Sequence, residues 1–453
     1  MRYNGRMIAV VGAGLAGLAC AVELRRFGHE VQVYEASDRV GGRCWTVRGA
    51  FPDGRYVERG AQLVDSSHTA LLSLIAELGL EVRDLAEAQP SEAAPLLWCH
   101  GGPYSLEDAA ADFAEIQPTV RADHLAVGPS PGHGRMTPRA QELDRLSVAE
   151  YLDRLTPGSR LNRLLRTAYT WELGADAEEL SALYLVTLLG RNGPGEFELF
   201  GPGDARYAVC GGTDLITARL ADLLPDRIHL GHALVALRRG AAGFTLVFDH
   251  GAAVREVRAD RVVLALPFSV LRARVDLSGA GLSERKLRAV NELGMGSSSR
   301  THLEFRGRPW LAAGCDGASV SDTGFQTCWD ETLGDGGATS VLVNLRAGRA
   351  AGRVADDART AAEEFLAEFD SLLPGVSAHW TGRATTWNWS RHPWSLGSYA
   401  YYRPGQFGDL AGTEAVPEDG CHFAGEHTSP HDSGMNGAVL SGRRAAREIV
   451  GAL

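Results

Sequence analysis

The most regular hydrophobic pattern lies at the start of the chain. An apolar run, Ile8-Ala-Val-Val, ends at Gly12, a helical segment follows, and a second apolar run ends at Val33-Tyr34-Glu35. This order predicts a buried strand, a glycine turn, a helix and a second strand that ends in an acid. We therefore expect an α/β fold that begins with a strand–helix–strand unit.

The pattern of apolar positions predicts further elements along the chain. Helical spacing is found over 71–78 and again near 149–152. Later, strand-like runs over 301–305 and 340–345 are followed by an amphipathic helix over 360–373. These runs predict a region of mixed helix and sheet outside the first unit.

The glycine turn carries the first candidate chemistry. Gly12 allows a tight turn out of the strand, Gly14 lets the backbone approach a pyrophosphate, and Gly17 lets the helix pack against the sheet. The helix dipole and the first N–H groups then face the phosphates. Glu35, about 20 residues on, would accept both hydroxyls of a ribose. The segment predicts a site for the AMP half of FAD or NAD. The predicted contacts are Gly12, Ala13, Gly14, Leu15, Ala16, Gly17, Glu35 and Ala36.

Further motifs identify the cofactor. Asp38-Arg39-Val40-Gly41-Gly42-Arg43 follows the first unit, and Phe423-Ala424-Gly425-Glu426 and Gly434-Met435-Asn436-Gly437 lie near the other end. Together with 210–215 and 259–267, these segments resemble the flavin amine oxidase family, which includes monoamine oxidases, polyamine oxidases and many L-amino-acid oxidases. The resemblance covers nearly the whole chain and implies FAD as the cofactor.

The resemblance implies roles for individual residues. Arg43 would lie on the FAD pyrophosphate, and Glu426 would take the ribitol or ribose hydroxyls. The backbone at Met435 would open a helix whose amino end points at the flavin O2, and the backbone of Val235 would meet the adenine. The implied FAD contacts outside the glycine turn are Gly42, Arg43, Ala61, Gln62, Leu63, Val235, Gly425, Glu426, Gly434 and Met435.

The resemblance also implies an interleaved architecture. A Rossmann-type FAD-binding domain of the amine oxidase kind would be built from 1–80, 210–280 and 405–453. An α+β substrate domain, a helical insert plus a sheet, would be built from 81–209 and 281–404. We expect the chemistry where the second insert returns to the FAD domain.

The segment from Trp387 to Tyr399 resembles the family's W-x-x-x-P-x-x-x-G-S-Y stretch, which passes the reactive face of the flavin. In monoamine oxidases a cysteine precedes the tyrosine and bonds to the flavin. Ser398 stands there in this chain, which predicts non-covalent FAD. Tyr399 would form one aromatic wall that orients a neutral amine over flavin N5. The opposite tyrosine is missing, because the matching stretch reads Ser433-Gly434-Met435. The gap either widens the pocket for a bulky substrate or is filled by Trp394 or another aromatic residue.

A second departure concerns the lysine that holds a water against flavin N5 in the family. Aligning 294–305 with the family's K-x-x-L-x-F pattern places Arg300 there. Arginine can donate to a water or to reduced flavin, but it cannot accept a proton. Arg300 is therefore a candidate catalytic residue together with Tyr399 and Trp394, and a structural ion pair is its alternative interpretation.

The substrate is harder to predict than the cofactor. Many L-amino-acid oxidases carry a G-x-M-R segment whose arginine binds the substrate carboxylate, whereas this chain reads Gly60-Ala61-Gln62-Leu63. A plain amine is favoured, unless Arg191 or Arg206 replaces that arginine. We expect hydride transfer from the amine to N5, hydrolysis of the released imine, and reduction of oxygen to hydrogen peroxide. The alternatives are an L-amino-acid oxidase, an FAD-dependent carbon–carbon desaturase and a non-catalytic FAD-binding protein.

Composition and charge exclude other classes. The formal net charge is −11 and the basic residues are scattered, so no nucleic-acid partner is expected. No stretch approaches roughly 20 unbroken apolar residues, so we expect no membrane span and a cytoplasmic protein. Seven spread cysteines without a C-x-x-C pair predict buried thiols rather than disulfides or a metal site. The expected partners are a small-molecule amine and molecular oxygen, and a homodimer is left open.

Overall fold

The computed structural model describes residues 7–201, 203–251, 253–429 and 432–452. Parts of the predicted FAD-binding segments, 1–6, 252, 430–431 and 453, therefore lie outside the described residues, as does residue 202 of the first predicted insert.

The described part of the chain contains both strands and helices, in single elements and in runs of one type. The strands, in chain order, are β1 (Ile8–Val11), β2 (Val31–Tyr34), β3 (Thr46–Arg48), β4 (Tyr56–Glu58), β5 (Leu63–Val64), β6 (Val82–Asp84), β7 (Ala94–Cys99), β8 (Gly102–Pro103), β9 (Tyr207–Val209), β10 (Ile228–His229), β11 (Ala233–Gly240), β12 (Gly243–Asp249), β13 (Val254–Ala259), β14 (Arg261–Leu264), β15 (Gly294–Met295), β16 (Ser298–Arg306), β17 (Cys315–Ser321), β18 (Gln326–Asp330), β19 (Thr339–Ala347), β20 (Trp380–Asn388), β21 (Ala400–Tyr401) and β22 (Cys421–Phe423). The α-helices are α1 (Leu15–Arg26), α2 (Thr69–Glu77), α3 (Leu85–Ala88), α4 (Leu106–Val127), α5 (Pro138–Asp144), α6 (Val148–Leu155), α7 (Arg160–Leu173), α8 (Leu183–Leu189), α9 (Asp214–Asp222), α10 (Phe268–Arg274), α11 (Glu284–Glu292), α12 (Ala358–Leu372), α13 (Gln406–Asp409) and α14 (Gly434–Gly451).

A five-stranded sheet in the order β10-β2-β1-β14-β22 forms the first layer. Every neighbouring pair in it runs parallel. All four residues of the central strand β1 are buried, as expected for a parallel sheet that is covered on both faces. Because the strands share one direction, the loops after β1, β2, β14 and β22 meet at the same edge of the sheet. The predicted α/β class is confirmed.

The two faces of this sheet pack against different layers. Ile8 and Val10 join a core with apolar residues of α1, α9 and α14. Ala9 and Val11 join a second core with residues of the antiparallel sheet β11-β12-β13. The alternation of side chains along β1 thus places helices on one face and a second sheet on the other.

The first and last helices cross at close range. A Cβ built on Gly442 of α14 would lie 2.3 Å from the carbonyl oxygen of Ala16 in α1, so this crossing requires glycine. Helix α1 follows β1 and helix α14 follows β22. Two helices from opposite ends of the chain therefore pack together behind the same sheet edge.

A seven-stranded sheet in the order β20-β16-β19-β18-β17-β7-β8 forms another layer. Strands β7 and β8 come from the first predicted insert and the other five from the second. Helix α12 packs on this sheet, where Phe365 and Phe369 stack with ring centres 5.0 Å apart and both meet Phe325 edge-on. The predicted strands over 301–305 and 340–345 lie within β16 and β19, and the helix predicted over 360–373 is α12. The helical spacing over 71–78 and 149–152 corresponds to α2 and α6.

The cysteines follow the prediction with one exception. All seven are free, and six of them are buried. The prediction of a buried thiol is wrong for Cys210, which is exposed. Cys210 directly follows β9 and begins a turn with Gly211 and Gly212, both at positive φ, so its side chain leaves the sheet where the chain reverses.

None of the helices in the described part of the chain is both long enough and apolar enough to cross a bilayer.

Candidate active site

The glycine turn after β1 is shaped for a ligand at close range. Gly12 has a φ of +105°, and a Cβ there would lie 2.6 Å from the carbonyl oxygen of Ala265. A Cβ on Gly17 would lie 2.0 Å from the Gly12 carbonyl oxygen. Gly14, in contrast, faces open space, since a Cβ there would meet no described atom within 4 Å. Helix α1 begins at this point with no side-chain N-cap and no acid in its first turn. Its first N–H groups therefore fit a phosphate.

Glu35 lies against this turn. It follows β2 directly and is buried. One carboxylate oxygen accepts the N–H of Ala13 at 2.8 Å, and the other accepts the N–H and the hydroxyl of Ser37, both at 2.9 Å. Each carboxylate oxygen can accept more than one hydrogen bond. Glu35, which lies between the end of β2 and Ala36, can therefore accept further hydrogen bonds from the hydroxyls of a ribose.

Two motifs that lie 383 residues apart meet at Arg43. Its Nη1 donates to Glu426 Oε1 at 2.9 Å and to the carbonyl oxygen of Ser398. Both carboxylate oxygens of Glu426 also lie 3.3 Å from the N–H of Ala400. The Nε and Nη2 of Arg43 have no hydrogen-bond partner among the described residues, so they can bind phosphate oxygens. The pair ties the proposed pyrophosphate motif to the segment that carries Tyr399.

Gly42 brings the same motif alongside the glycine turn. Gly41 and Gly14 pair as an isolated parallel bridge. Gly42 has a φ of +56°, and a Cβ there would lie 3.4 Å from the Gly14 Cα. The backbone of this motif therefore runs next to the position expected for the phosphates.

Helix α14 offers a second amino end without a cap. Its N-cap residue, Ser433, makes no side-chain capping bond, and the first turn contains no acid. Gly434 has a φ of +63°, and Met435 after it is buried. Gly425 donates its N–H to Ser441 Oγ at 2.9 Å, which holds the turn before Glu426 against the helix. The amino end of this 18-residue helix carries a partial positive charge, which stabilises a negative charge close to its first turn.

The other implied FAD contacts hold the surrounding backbone. The N–H of Ala61 donates to the Arg43 carbonyl at 3.2 Å, next to Gln62 and before β5. Val235 is the extra residue of a bulge in β11, and its carbonyl accepts the N–H of Asp276 at 2.8 Å. A dinucleotide bound at this edge of the sheet would contact the glycine turns, the uncapped amino ends of α1 and α14, the Glu35 carboxylate and the Arg43 guanidinium. These groups fit the phosphates and the ribose of FAD.

Tyr399 is anchored at its hydroxyl and at its backbone. The hydroxyl donates to the carbonyl of Trp171, near the end of α7, at 2.7 Å, and burial raises the pKa of this tyrosine. The N–H of Ser398 donates to the Gly296 carbonyl at 2.6 Å. The Ser398 hydroxyl is buried and has no hydrogen-bond partner within the described ranges. The ring is therefore held in place, as an aromatic wall requires.

Arg300 lies in β16, and only part of its guanidinium is hydrogen-bonded to described residues. Its Nη1 donates to the carbonyl of Glu58 at 3.0 Å and to Gln62 Oε1 at 3.1 Å. In the described part of the chain, no carboxylate forms a salt bridge with Arg300, so the structural ion pair considered from the sequence is not formed. Burial lowers the pKa of Arg300, and the charges of Glu331 and Glu58 oppose that shift. Its Nε and Nη2 have no described partner, which leaves donors for a water or a ligand.

Sequence reasoning missed an aromatic stack beside this strand. The guanidinium carbon of Arg59 lies 4.3 Å from the ring centre of Trp45 and 4.0 Å from that of Trp387. Trp387 is the register partner of Arg300 across β16 and β20, and Trp389 Nε1 donates to the Arg59 carbonyl at 2.8 Å. The stack fixes β20 next to Arg300. Only the pairing of distant strands reveals it.

The structure does not bring Trp394 into ring contact with Tyr399. The guanidinium carbon of Arg274 lies 5.2 Å from the Trp394 ring centre, and Arg274 Nε donates to the Pro393 carbonyl at 3.1 Å. Trp394 therefore packs beside Arg274, the last residue of α10, and its assignment as a second wall stays a prediction.

Glu172 is an acidic neighbour of Tyr399 that sequence reasoning missed. It is the penultimate residue of α7, directly after Trp171. Burial raises the pKa of Glu172 to about 7, and the charge of Asp65 contributes in the same direction. The Glu172 charge in turn acts on Tyr399. The sequence feature that could have identified Glu172 is an acid flanked by Trp171 and Leu173 at the apolar end of a helix.

Neither of the two arginines considered as a partner for a substrate carboxylate is both unpaired and buried. Arg206 pairs with Asp84 at 2.6 Å, and Arg191 is exposed. Leu63, which the resemblance predicts at the position of the carboxylate-binding arginine, begins β5. Arg300 acts electrostatically on Tyr399 and keeps free donors among the described residues.

Known proteins resemble this chain over nearly its whole length. Residues 15–450 match the family described as flavin containing amine oxidoreductase. The flavin-dependent L-tryptophan oxidase RebO of Lentzea aerocolonigenes is 28% identical over 498 residues, covering 99% of each chain. Flavin-containing amine oxidase B of Sus scrofa is 27% identical over 470 residues, covering 98% of this chain and 86% of the relative. The structure of wild-type putrescine oxidase bound to putrescine superposes with a TM-score of 0.83 at 24% identity, covering 99% of both chains, and shares the fold. The chain belongs to the flavin-containing amine oxidoreductase family.

Proposed function

We propose that this protein oxidises an amine without a carboxylate and holds FAD without a covalent bond. The observation that carries the proposal is the tie from Arg43 to Glu426 and to the carbonyl of Ser398. It supports a position for Tyr399 at the flavin end of the dinucleotide site, where a neutral amine can lie over the ring face. Bound FAD supplies the hydride acceptor at N5 and the electron path to molecular oxygen.

The protein residues in this proposal supply placement and charge. Tyr399 orients the amine, and Arg300 holds a water through its free donors. The amino end of α14 stabilises the negative charge that amine oxidation leaves on the cofactor. Arg300 remains charged and does not act as a base, so the amine must be neutral when it reacts. The imine leaves and hydrolyses, and hydrogen peroxide is the second product.

The missing carboxylate site supports an amine over an amino acid. Leu63 stands where the family's arginine would lie, Arg206 is paired with Asp84, and Arg191 is exposed. An L-amino-acid oxidase is the second candidate, favoured by one observation: Arg300 keeps two unpaired donor groups among the described residues near Tyr399.

The proposal includes the interleaved organisation of the chain. The FAD-binding domain would comprise 1–80, 210–280 and 405–453, and the substrate domain 81–209 and 281–404. The parallel sheet supports this division, because its strands come from all three FAD segments. A cytoplasmic location and a homodimer stay predictions.

Anaerobic reduction of the bound flavin tests the proposed function. The purified holoenzyme is mixed with amines, L-amino acids and amine-free hydrocarbons that can be desaturated, and the visible absorbance of the flavin is followed. We expect amines to bleach it, and admission of air to restore the colour with release of hydrogen peroxide. Bleaching by amino acids alone would identify the second candidate, and bleaching by an amine-free compound would identify a desaturase. A flavin that no compound reduces would indicate a non-catalytic protein.

A further inference from the structure

The end of helix α7 is built into the wall of the proposed amine site. The Trp171 carbonyl accepts the Tyr399 hydroxyl at 2.7 Å, and the Gly174 carbonyl accepts the N–H of Ser297 at 2.8 Å. Gly174 ends the helix with a φ of +75°, and a Cβ there would lie 2.9 Å from a ring carbon of Tyr399. Glu172 therefore stands between two residues whose backbones are fixed against the Tyr399 segment.

The Glu172 carboxylate is enclosed and has no counter-charge. It makes neither a hydrogen bond nor a salt bridge within the part of the chain that the structure describes, and its side chain keeps some accessible surface. Asp65, the acid that acts on it, is already engaged: it accepts the N–H of Ala205 at 2.7 Å and lies 3.3 Å from His68 Nε2. An enclosed carboxylate is disfavoured unless a cation or donor meets it. The Glu172 carboxylate meets no such group among the described residues.

The charges of Glu172 and Arg300 act on Tyr399 in opposite directions. The Glu172 charge raises the pKa of Tyr399, whereas the Arg300 charge lowers it. A cation beside Tyr399 is therefore repelled by Arg300 and attracted by Glu172.

We propose that Glu172 binds a second ammonium group of the substrate, so that the preferred substrates are diamines or polyamines. This inference rests on the proposed amine oxidation. One amine of such a substrate lies neutral over Tyr399, and the other stays protonated against Glu172. A protonated monoamine has one nitrogen for both positions, so Glu172 draws it away from the reacting position.

Matched substrates test this assignment on the wild-type holoenzyme. Butane-1,4-diamine, butan-1-amine and 4-aminobutanoate share a four-carbon chain and differ in the group at the far end. We expect kcat/KM to fall in that order, because the far group changes from a cation to a methyl group and then to an anion. A charge-assisted hydrogen bond corresponds to about tenfold or more between the first two.

A matched pair of variants tests the residue itself. Glu172→Gln keeps the shape and removes the charge, and we expect the kcat/KM ratio of butane-1,4-diamine over butan-1-amine to fall about tenfold or more, mainly through KM. Glu178→Gln is the control, since Glu178 pairs with Arg166 and Arg349 at the surface. The control should leave the ratio unchanged. Flavin content and the thermal midpoint of each variant report on folding.

The pH profile gives a further readout. The groups that act on Glu172, or on which its charge acts, are Asp65, Tyr399 and Tyr169. Because the pKa of Glu172 is raised to about 7, its carboxylate is charged mainly above that pH. The kcat/KM for butane-1,4-diamine should rise through this range in the wild type and lose that step in Glu172→Gln.

Three outcomes would overturn the inference or its basis, and they can be told apart. Equal kcat/KM for diamine and monoamine in the wild type would overturn it without any variant. Equal losses for both substrates in Glu172→Gln would indicate that Glu172 acts on the reacting amine instead. A wild-type flavin that no amine reduces would reject the proposed amine oxidation itself.

Discussion

Replacing Arg43 by alanine tests the centre of the proposed FAD site. Arg43 gives its Nη1 to Glu426 and Ser398 and keeps Nε and Nη2 without described partners. The substitution therefore removes a phosphate ligand and also a link between two distant motifs. The two losses are separable, because one affects FAD affinity and the other affects the stability of the protein without FAD.

The expected magnitudes follow from these contacts. Losing a charge-assisted bond to the pyrophosphate costs about 1.5–3 kcal/mol, which raises the FAD dissociation constant about tenfold to a hundredfold. The side chain of Glu426 is only 6% exposed, and that of Arg43 is 24% exposed. Without Arg43, the Glu426 carboxylate keeps, among the described residues, the N–H of Ala400 at 3.3 Å as its only donor. We expect the free energy of unfolding of the apoprotein to fall by about 1–3 kcal/mol.

The assay combines FAD titration with unfolding in urea. Apoprotein is titrated with FAD while the quenching of flavin fluorescence is followed, and unfolding is measured without FAD. Adding Glu426→Gln to Arg43→Ala should recover part of the lost stability, because it removes the unpaired carboxylate. Arg48→Ala is the control, since Arg48 pairs with Asp214 and its side chain is 47% exposed. An unchanged dissociation constant in Arg43→Ala would show that the dinucleotide does not lie beside this residue.

Four further predictions address other parts of the molecule. Because residue 398 is serine, acid precipitation should release all yellow colour into the supernatant, and colour retained by the pellet would contradict non-covalent FAD. Glu35→Ala should raise the FAD dissociation constant about tenfold to a hundredfold through loss of the ribose acceptor, and full affinity would argue against the assigned site. Arg300→Met should slow flavin reoxidation more than anaerobic reduction in stopped-flow measurements, Arg300→Lys should restore the rate, and reoxidation at the wild-type rate in Arg300→Met would remove Arg300 from the flavin site. The native protein should react with one equivalent of a thiol reagent, at Cys210, whereas several equivalents would contradict burial of the other thiols.

The sequence predicts best where the chemistry is local. Gly12, Gly14 and Glu35 lie within one strand–helix–strand unit, and each is constrained by backbone space or by its place after a strand. The structure brings them together because parallel strands end at one edge. The meeting of Arg43 with Glu426 spans most of the chain and could be expected only through the family resemblance.

Residues whose surroundings come from distant segments could not be predicted in this way. The contact of Arg59 with Trp45 and Trp387 depends on where β20 pairs. Glu172 lies on a helix in the first insert, and its importance depends on the second insert bringing Tyr399 against it. A single position in a sequence does not predict contacts between distant segments. The free energy of a buried charge depends on the groups that surround it in three dimensions.

The close crossing of α1 and α14 also bears on how the protein is made. Gly442 meets Ala16, so α1, whose amino end is proposed to bind phosphate, packs on a helix that is synthesised more than 400 residues later. Domains generally fold in the order in which the ribosome releases them. Here the proposed dinucleotide site lacks the amino end of α14 until 434–451 have left the ribosome. During most of synthesis, the apolar face of α1 therefore lacks α14, its final packing partner. We expect the translating chain to depend on protection from aggregation during this interval.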